Sequence, residues 1–193
     1  MTRKKTAPVD LLEDYFSHSS RALAIVLKHS RLVAAKAVAI ATAAMRQGIA
    51  VNLEFLEEGA MLHDIGVCRV NSPHMDCHGS LPYIAHGLAG REILESEGLP
   101  RHALLCERHI GVGLTQEDIL LQKLPLPCRD MVPLSVEERI VCMADLFFSK
   151  TPDWGDRERT IAEVEMSLSR FGGTKVLTFR SWLAEFDCHP SRL

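Results

Sequence analysis

The chain has 193 residues, 47% of them hydrophobic and 24% charged, which suffices to close an apolar core and excludes a disordered or collagen-like polymer. A formal net charge of −3 excludes nucleic-acid recognition by bulk electrostatics, while leaving room for a local basic cluster inside a site. Six cysteines (Cys68, Cys77, Cys106, Cys128, Cys142 and Cys188) are scattered without a CxxC pair, a pattern of the reducing cytoplasm and not of a disulfide framework.

In chain order, the basic start MTRKKTAPVD is not followed by an apolar signal core, and residues 1–19 read as a helical lead-in. Apolar residues then recur at helical spacing over 20–47, 52–64, 85–97, 135–149 and 157–171, with Pro and Gly between the runs. The stretch from Leu32 to Met45 is too short to span a bilayer and carries Lys36, so it reads as a core helix, with no membrane partner. Asn52 is placed to cap the second run, which ends on His63-Asp64, with Gly66 as a left-handed stop. A long loop from Gly66 to about Tyr83 holds Arg69, His74, Asp76, Cys77 and His78 and reads as a lid over a site. A second, from about Leu121 to Leu134, holds Arg129 and Asp130. Ser135-Val-Glu-Glu is a capping-box pattern. After Pro152 two more helices follow, separated by Gly172-Gly173. The expectation is an all-α chain: a helical bundle over 20–150 and a C-terminal helical extension over 151–193 that serves packing or an interface.

The chemistry concentrates at His63-Asp64. Neighbouring side chains inside a helix point about 100° apart, but at a helix end both can close on one ion, and imidazole with carboxylate suits a divalent metal. Taken alone, such a pair is more often accidental. Two further residues strengthen it: His29, placed just before an apolar helix beginning near Ser30, and Asp145, a charge within Val-Cys-Met-Ala-Asp-Leu-Phe. A carboxylate in such company is costly to bury unless it is paired or holds a metal. No Walker motif, dinucleotide-binding glycine fingerprint or nucleophile elbow is present.

His29, His63-Asp64 and Asp145, on successive helices, resemble the H…HD…D signature of the HD-domain superfamily over roughly residues 20 to 150, and His63-Asp-Ile-Gly66 resembles its HDIG subgroup. His86 in His-Gly-Leu-Ala-Gly-Arg-Glu and His109 in Glu-Arg-His-Ile-Gly are similar to parts of bacterial HD-type diadenosine tetraphosphate hydrolases. The resemblance implies an HD-domain bundle with one divalent metal on His29, His63, Asp64 and Asp145. It implies a second on Asp64, His86 and His109, with Asp64 bridging and Asp64 and His63 catalytic. Fe, Mn, Zn, Ni, Co and Mg all fit such ligands. The implied activity is metal-dependent hydrolysis of a phosphate ester or anhydride, in a nucleotide or another small phosphorylated metabolite, by metal-activated water. Val67 stands where HD proteins acting on cyclic dinucleotides often carry lysine, and no GYP follows, so cyclic-di-GMP cleavage is not expected. Arg69, Arg108 and Arg129 are the candidate phosphate binders, and His74, His78 and Glu107 the candidate leaving-group acids. The alternatives are a di-iron oxygenase on the same ligands and a non-catalytic ligand-binding or signalling module. The intact ligand set argues against the module.

Overall fold

Apolar side chains at three- and four-residue spacing wind most of this chain into helix, as its computed structural model shows for residues 7–150 and 157–186. Residues 1–6, the breakers from Pro152 to Gly155 and Cys188 lie outside the described residues. Helix α1 (Pro8–Tyr15) starts on a proline, whose missing N–H costs nothing there. Helix α2 (Ser20–Arg46) is capped by Ser19, whose hydroxyl accepts from Ala22 N at 3.0 Å. Helix α3 (Leu53–Leu62) is capped by Asn52, as its sequence suggests. Then come α4 (His86–Ser96), α5 (Pro100–Arg108), α6 (Gln116–Leu121), α7 (Val136–Asp145), α8 (Ile161–Ser169) and α9 (Gly173–Glu185). Ser135 makes its half of the expected capping box with Glu138 N. The Glu138 carboxylate turns instead to Leu134 N and Arg108.

Two apolar clusters organise these helices. One joins the C-terminal half of α2 to α3, α7, α8 and α9, with Phe147, Phe179, Trp182 and Phe186 among its largest members. The other joins α1 and the N-terminal half of α2 to α4 and α5, through Leu12, Phe16, Val26, Leu62, Ile93 and Cys106. The two C-terminal helices therefore share a core with α2 and α7. No described helix is long and apolar enough to cross a membrane.

Several expectations are corrected. His29 lies inside α2, not ahead of it. The segment after Asp64 is no free lid. It forms a 3-10 turn (Ile65–Arg69) and an antiparallel pair of strands, β1 (Asn71–Ser72) and β2 (Cys77–His78), with Asn71 opposite His78. Ser72, Met75 and Cys77 anchor this hairpin by burial. Gly66 is not a left-handed stop, since it is absent from the positive-φ glycines. Its role is close approach: a Cβ there would sit 2.0 Å from His86 O and 2.3 Å from Gly90 N. Gly90 is crowded in turn, with a Cβ falling 2.2 Å from Cys106 Sγ. The turn after α3 therefore stacks on α4, and α4 on α5, at distances only glycine permits.

This packing makes Gly90→Ala destabilising by about 1–3 kcal/mol, the usual range for overpacking. Chemical denaturation should show Gly90→Ala/Cys106→Ala losing less than the two single variants together, because Cys106→Ala removes the clashing sulfur. Strict additivity would refute the proposed contact.

Candidate metal centre

The candidate ligands gather at the seam between the two apolar clusters. On α2, His29 lies between Val26 of one cluster and Val33 of the other. His63 caps the C-terminus of α3, with Asp64 just after it; His86 opens α4, His109 caps the C-terminus of α5, and Asp145 ends α7. His63 and Asp64 are fully buried, and His29, His86 and His109 nearly so. Asp145 keeps 17% of its side chain exposed and marks the open side.

Three of the imidazoles are aimed in the same way. Nδ1 of His63 donates to Ala60 O, Nδ1 of His86 to Tyr83 O and Nδ1 of His109 to Cys106 O, each at 2.7 Å and three residues back. A carbonyl can only accept, so Nδ1 carries the hydrogen and Nε2 faces inward. Around one point, His29 Nε2 lies 2.8 Å from Asp145 Oδ1 and 3.3 Å from His63 Nε2. His63 Nε2 is 3.5 Å from Asp145 Oδ1. Asp64 Oδ2 completes this group at 3.3 Å from His29 and 3.1 Å from His63. The other oxygen, Oδ1, lies 3.5 Å from His86 Nε2 and 3.6 Å from His109 Nε2, which are 3.0 Å from each other. Donor atoms sharing one ion at about 2.0–2.2 Å lie roughly 3–3.5 Å apart, so both groups have ligand spacing. They are contiguous, since the ligand atoms of His63, Asp64 and His109 lie within 4.8 Å of one another.

The buried carboxylate of Asp64 supplies the fit test. Neither of its oxygens meets a well-aligned hydrogen-bond donor, although both are buried. A buried anion calls for positive charge; the Lys150 ammonium, 2.7 Å from Oδ2, supplies part of it, and the imidazole–carboxylate donor set around both oxygens suits a divalent cation.

Burial, reinforced by the positive charge of Lys150, lowers His29 to about 4. Burial with the neighbouring His109 lowers His86 to about 3. Both rings are therefore neutral near pH 7. Burial also opposes the charging of His63, but the Asp64 and Asp145 carboxylates outweigh it and raise this ring to about 10. Burial pushes both carboxyls up. His63 and Lys150 nevertheless hold Asp64 well below the ordinary range, and Lys150 and His29 do so for Asp145.

The three arginines expected to bind phosphate are engaged elsewhere. Arg69 pairs with Glu92 at 3.0 Å, Arg108 with Glu138 at 3.1 Å, and Arg129 with Glu107. Glu107 is itself buried between Arg129 and Arg91, a structural position and not one for a leaving-group acid. His74 and His78 sit on the hairpin and contact Ser72 and Asp76. Sequence reasoning missed Lys150. Its Nζ lies 2.7 Å from Asp64 Oδ2, with 12% of the side chain exposed. A lone lysine five positions past Asp145, beyond its helix, carries no motif that would have flagged it.

The HD domain family model matches residues 26–148. An uncharacterized protein of Methanocaldococcus jannaschii is 39% identical over 121 residues, covering 62% of this chain and 64% of that protein. The tRNA (cytidine(56)-2'-O)-methyltransferase of Picrophilus torridus is 42% identical over 88 residues, 45% of this chain and 22% of the enzyme. Its counterpart in Thermoplasma volcanium is 34% identical over 140 residues, 72% of this chain and 35% of the enzyme. The chain thus spans less than two thirds of the length of each of these relatives. Among solved structures, the HD domain of the L. monocytogenes phosphodiesterase PgpH superposes with a TM-score of 0.52 at 18% identity, over 90% of this chain and 94% of that one. That likeness shows a shared fold. With the family model spanning well over half of its length, including His29, His63, Asp64 and Asp145, the chain belongs to the HD domain family.

Proposed function

We propose that this HD protein is a metal-dependent phosphohydrolase that cleaves a phosphate ester or anhydride in a nucleotide or another small phosphorylated metabolite. The observation that carries this reading is the division of Asp64: Oδ2 faces His29 and His63, and Oδ1 faces His86 and His109. Bound divalent cations at such a pair of sites would lower the pKa of water, neutralise charge on the phosphoryl group and clamp the attacking and leaving oxygens. His29, His63, Asp64 and Asp145 would hold one, and Asp64, His86 and His109 the other.

The chain's own contribution is to fix these donors in advance. Carbonyls lock three of the rings, apolar walls exclude bulk water, and the low local dielectric strengthens every charge that faces the substrate. Relatives that act on tRNA support a nucleotide as the first substrate class to test. Of the three arginines, Arg69 is the freest to reach a substrate. Its pairing with Glu92 is exposed on both sides, and such pairs contribute only about 0–1 kcal/mol.

Asp64→Ala should lose bound metal and at least about 100-fold in phosphate release, more than an outer contact costs, with helicity retained by circular dichroism. An Asp64→Ala protein that keeps its metal and its activity would sink the assignment. His86→Ala should lower the metal content by about one ion per chain, read by plasma mass spectrometry. Phosphate release should persist without oxygen, which an oxygenase would not show.

Metal affinity should also depend on pH in a definite direction. His63 keeps its proton up to about pH 10, so an entering cation must displace it, whereas His29 and His86 are already neutral at pH 7. Affinity should therefore rise about tenfold per pH unit between roughly pH 6 and 9, with close to one proton released. Manganese titrations giving the same affinity across that range would contradict this assignment of protons.

A further inference from the structure

Among the described residues, Lys150 is the cationic side chain that reaches the histidine–aspartate cluster. Its ammonium lies 2.7 Å from Asp64 Oδ2, and the Tyr83 hydroxyl is near it. Its charge is felt by His29, by His86 and by Asp145, and so on both halves of the site. It enters from the open side, where Asp145 is partly exposed and Tyr83 is 37% exposed.

A protonated lysine has no lone pair and cannot serve as a metal ligand. Yet it approaches the oxygen that faces His29 and His63. A divalent cation held by those rings would compete with the ammonium for Oδ2 and repel it at short range. The flexible four-carbon stem lets the ammonium withdraw toward the open side without moving the backbone, and there it would meet whatever anion binds. The loaded site would carry two divalent cations against two carboxylates, so an added positive charge is tolerated only beside an incoming polyanion. Arg108 and Arg129 are held by buried glutamates and Arg69, though freer, pairs with Glu92, whereas Lys150 already touches Asp64.

We propose that Lys150 binds a non-bridging oxygen of the substrate's scissile phosphate, moving from Asp64 onto the phosphate when metal is bound. This assignment rests on the phosphohydrolase reading and adds a catalytic residue to it.

The test compares wild-type protein, Lys150→Met and Lys150→Arg, each loaded with manganese, and titrates inorganic phosphate by calorimetry. Lys150→Met should weaken phosphate binding by at least about tenfold, the loss of a charge-assisted contact, while manganese affinity holds or rises because a competing cation is gone. Lys150→Arg should stay within a few-fold of wild type. As a check independent of substitution, inorganic phosphate should slow reductive methylation of Lys150 in the wild-type protein. Unchanged phosphate affinity in Lys150→Met, or manganese lost in parallel with phosphate, would overturn the proposal, as would methylation indifferent to phosphate. A wild-type protein that binds phosphate through Lys150 yet hydrolyses no ester or anhydride would retire the phosphohydrolase reading and leave the phosphate contact standing.

Discussion

A carboxylate buried without a well-aligned donor on either oxygen is the feature around which this molecule is arranged. Moving a carboxylate out of water has an effective penalty of several kcal/mol even after the protein relaxes. Asp64 is nevertheless fully buried, at the seam of two apolar clusters. Four imidazoles and Lys150 surround it. Such a group persists only where the surroundings supply positive charge, and here they supply it as a proton on His63, an ammonium from Lys150 and inward-facing ring nitrogens suited to metal ions.

The histidines reach that position because of where they stand on their helices. The last carbonyls of an α-helix have no partner within it. Ala60 O in the last turn of α3 and Cys106 O in the last turn of α5 are therefore free to receive Nδ1 of His63 and His109. The Cys106 thiol closes the arrangement by donating to His63 O at 2.9 Å. The distance between the two halves of the site is then set by backbone. Gly66 lets the turn after Asp64 rest on the start of α4, and Gly90 lets α4 rest on α5. The glycines of His63-Asp-Ile-Gly66 and His86-Gly-Leu-Ala-Gly90 thus belong to the geometry of the site although they bear no chemistry.

Long helices and their caps were legible in the sequence because periodicity over ten or more residues is a strong signal: α2, α3, α4 and α7 fall within a few residues of their expected bounds. Helices α5 and α6 were not, being nine and six residues long, and α5 buries Glu107 on its inner face. His29, His63, Asp64 and Asp145 could be picked out by order and residue type, and His86 and His109 by resemblance. The arginines could not be judged, because their partners Glu92, Glu138 and Glu107 lie 22 to 30 positions away. Pairing at that distance is a property of the fold. Lys150 was illegible for the same reason: what distinguishes it is its nearness to Asp64, 86 positions earlier in the chain.

The most direct measurement is anomalous diffraction from crystals of the manganese-loaded protein. Two peaks about 3.5–4 Å apart, one beside His29, His63 and Asp145 and the other beside His86 and His109, with Asp64 between them, are the expected result. A single peak, or ions bound away from Asp64, would contradict the two-metal centre.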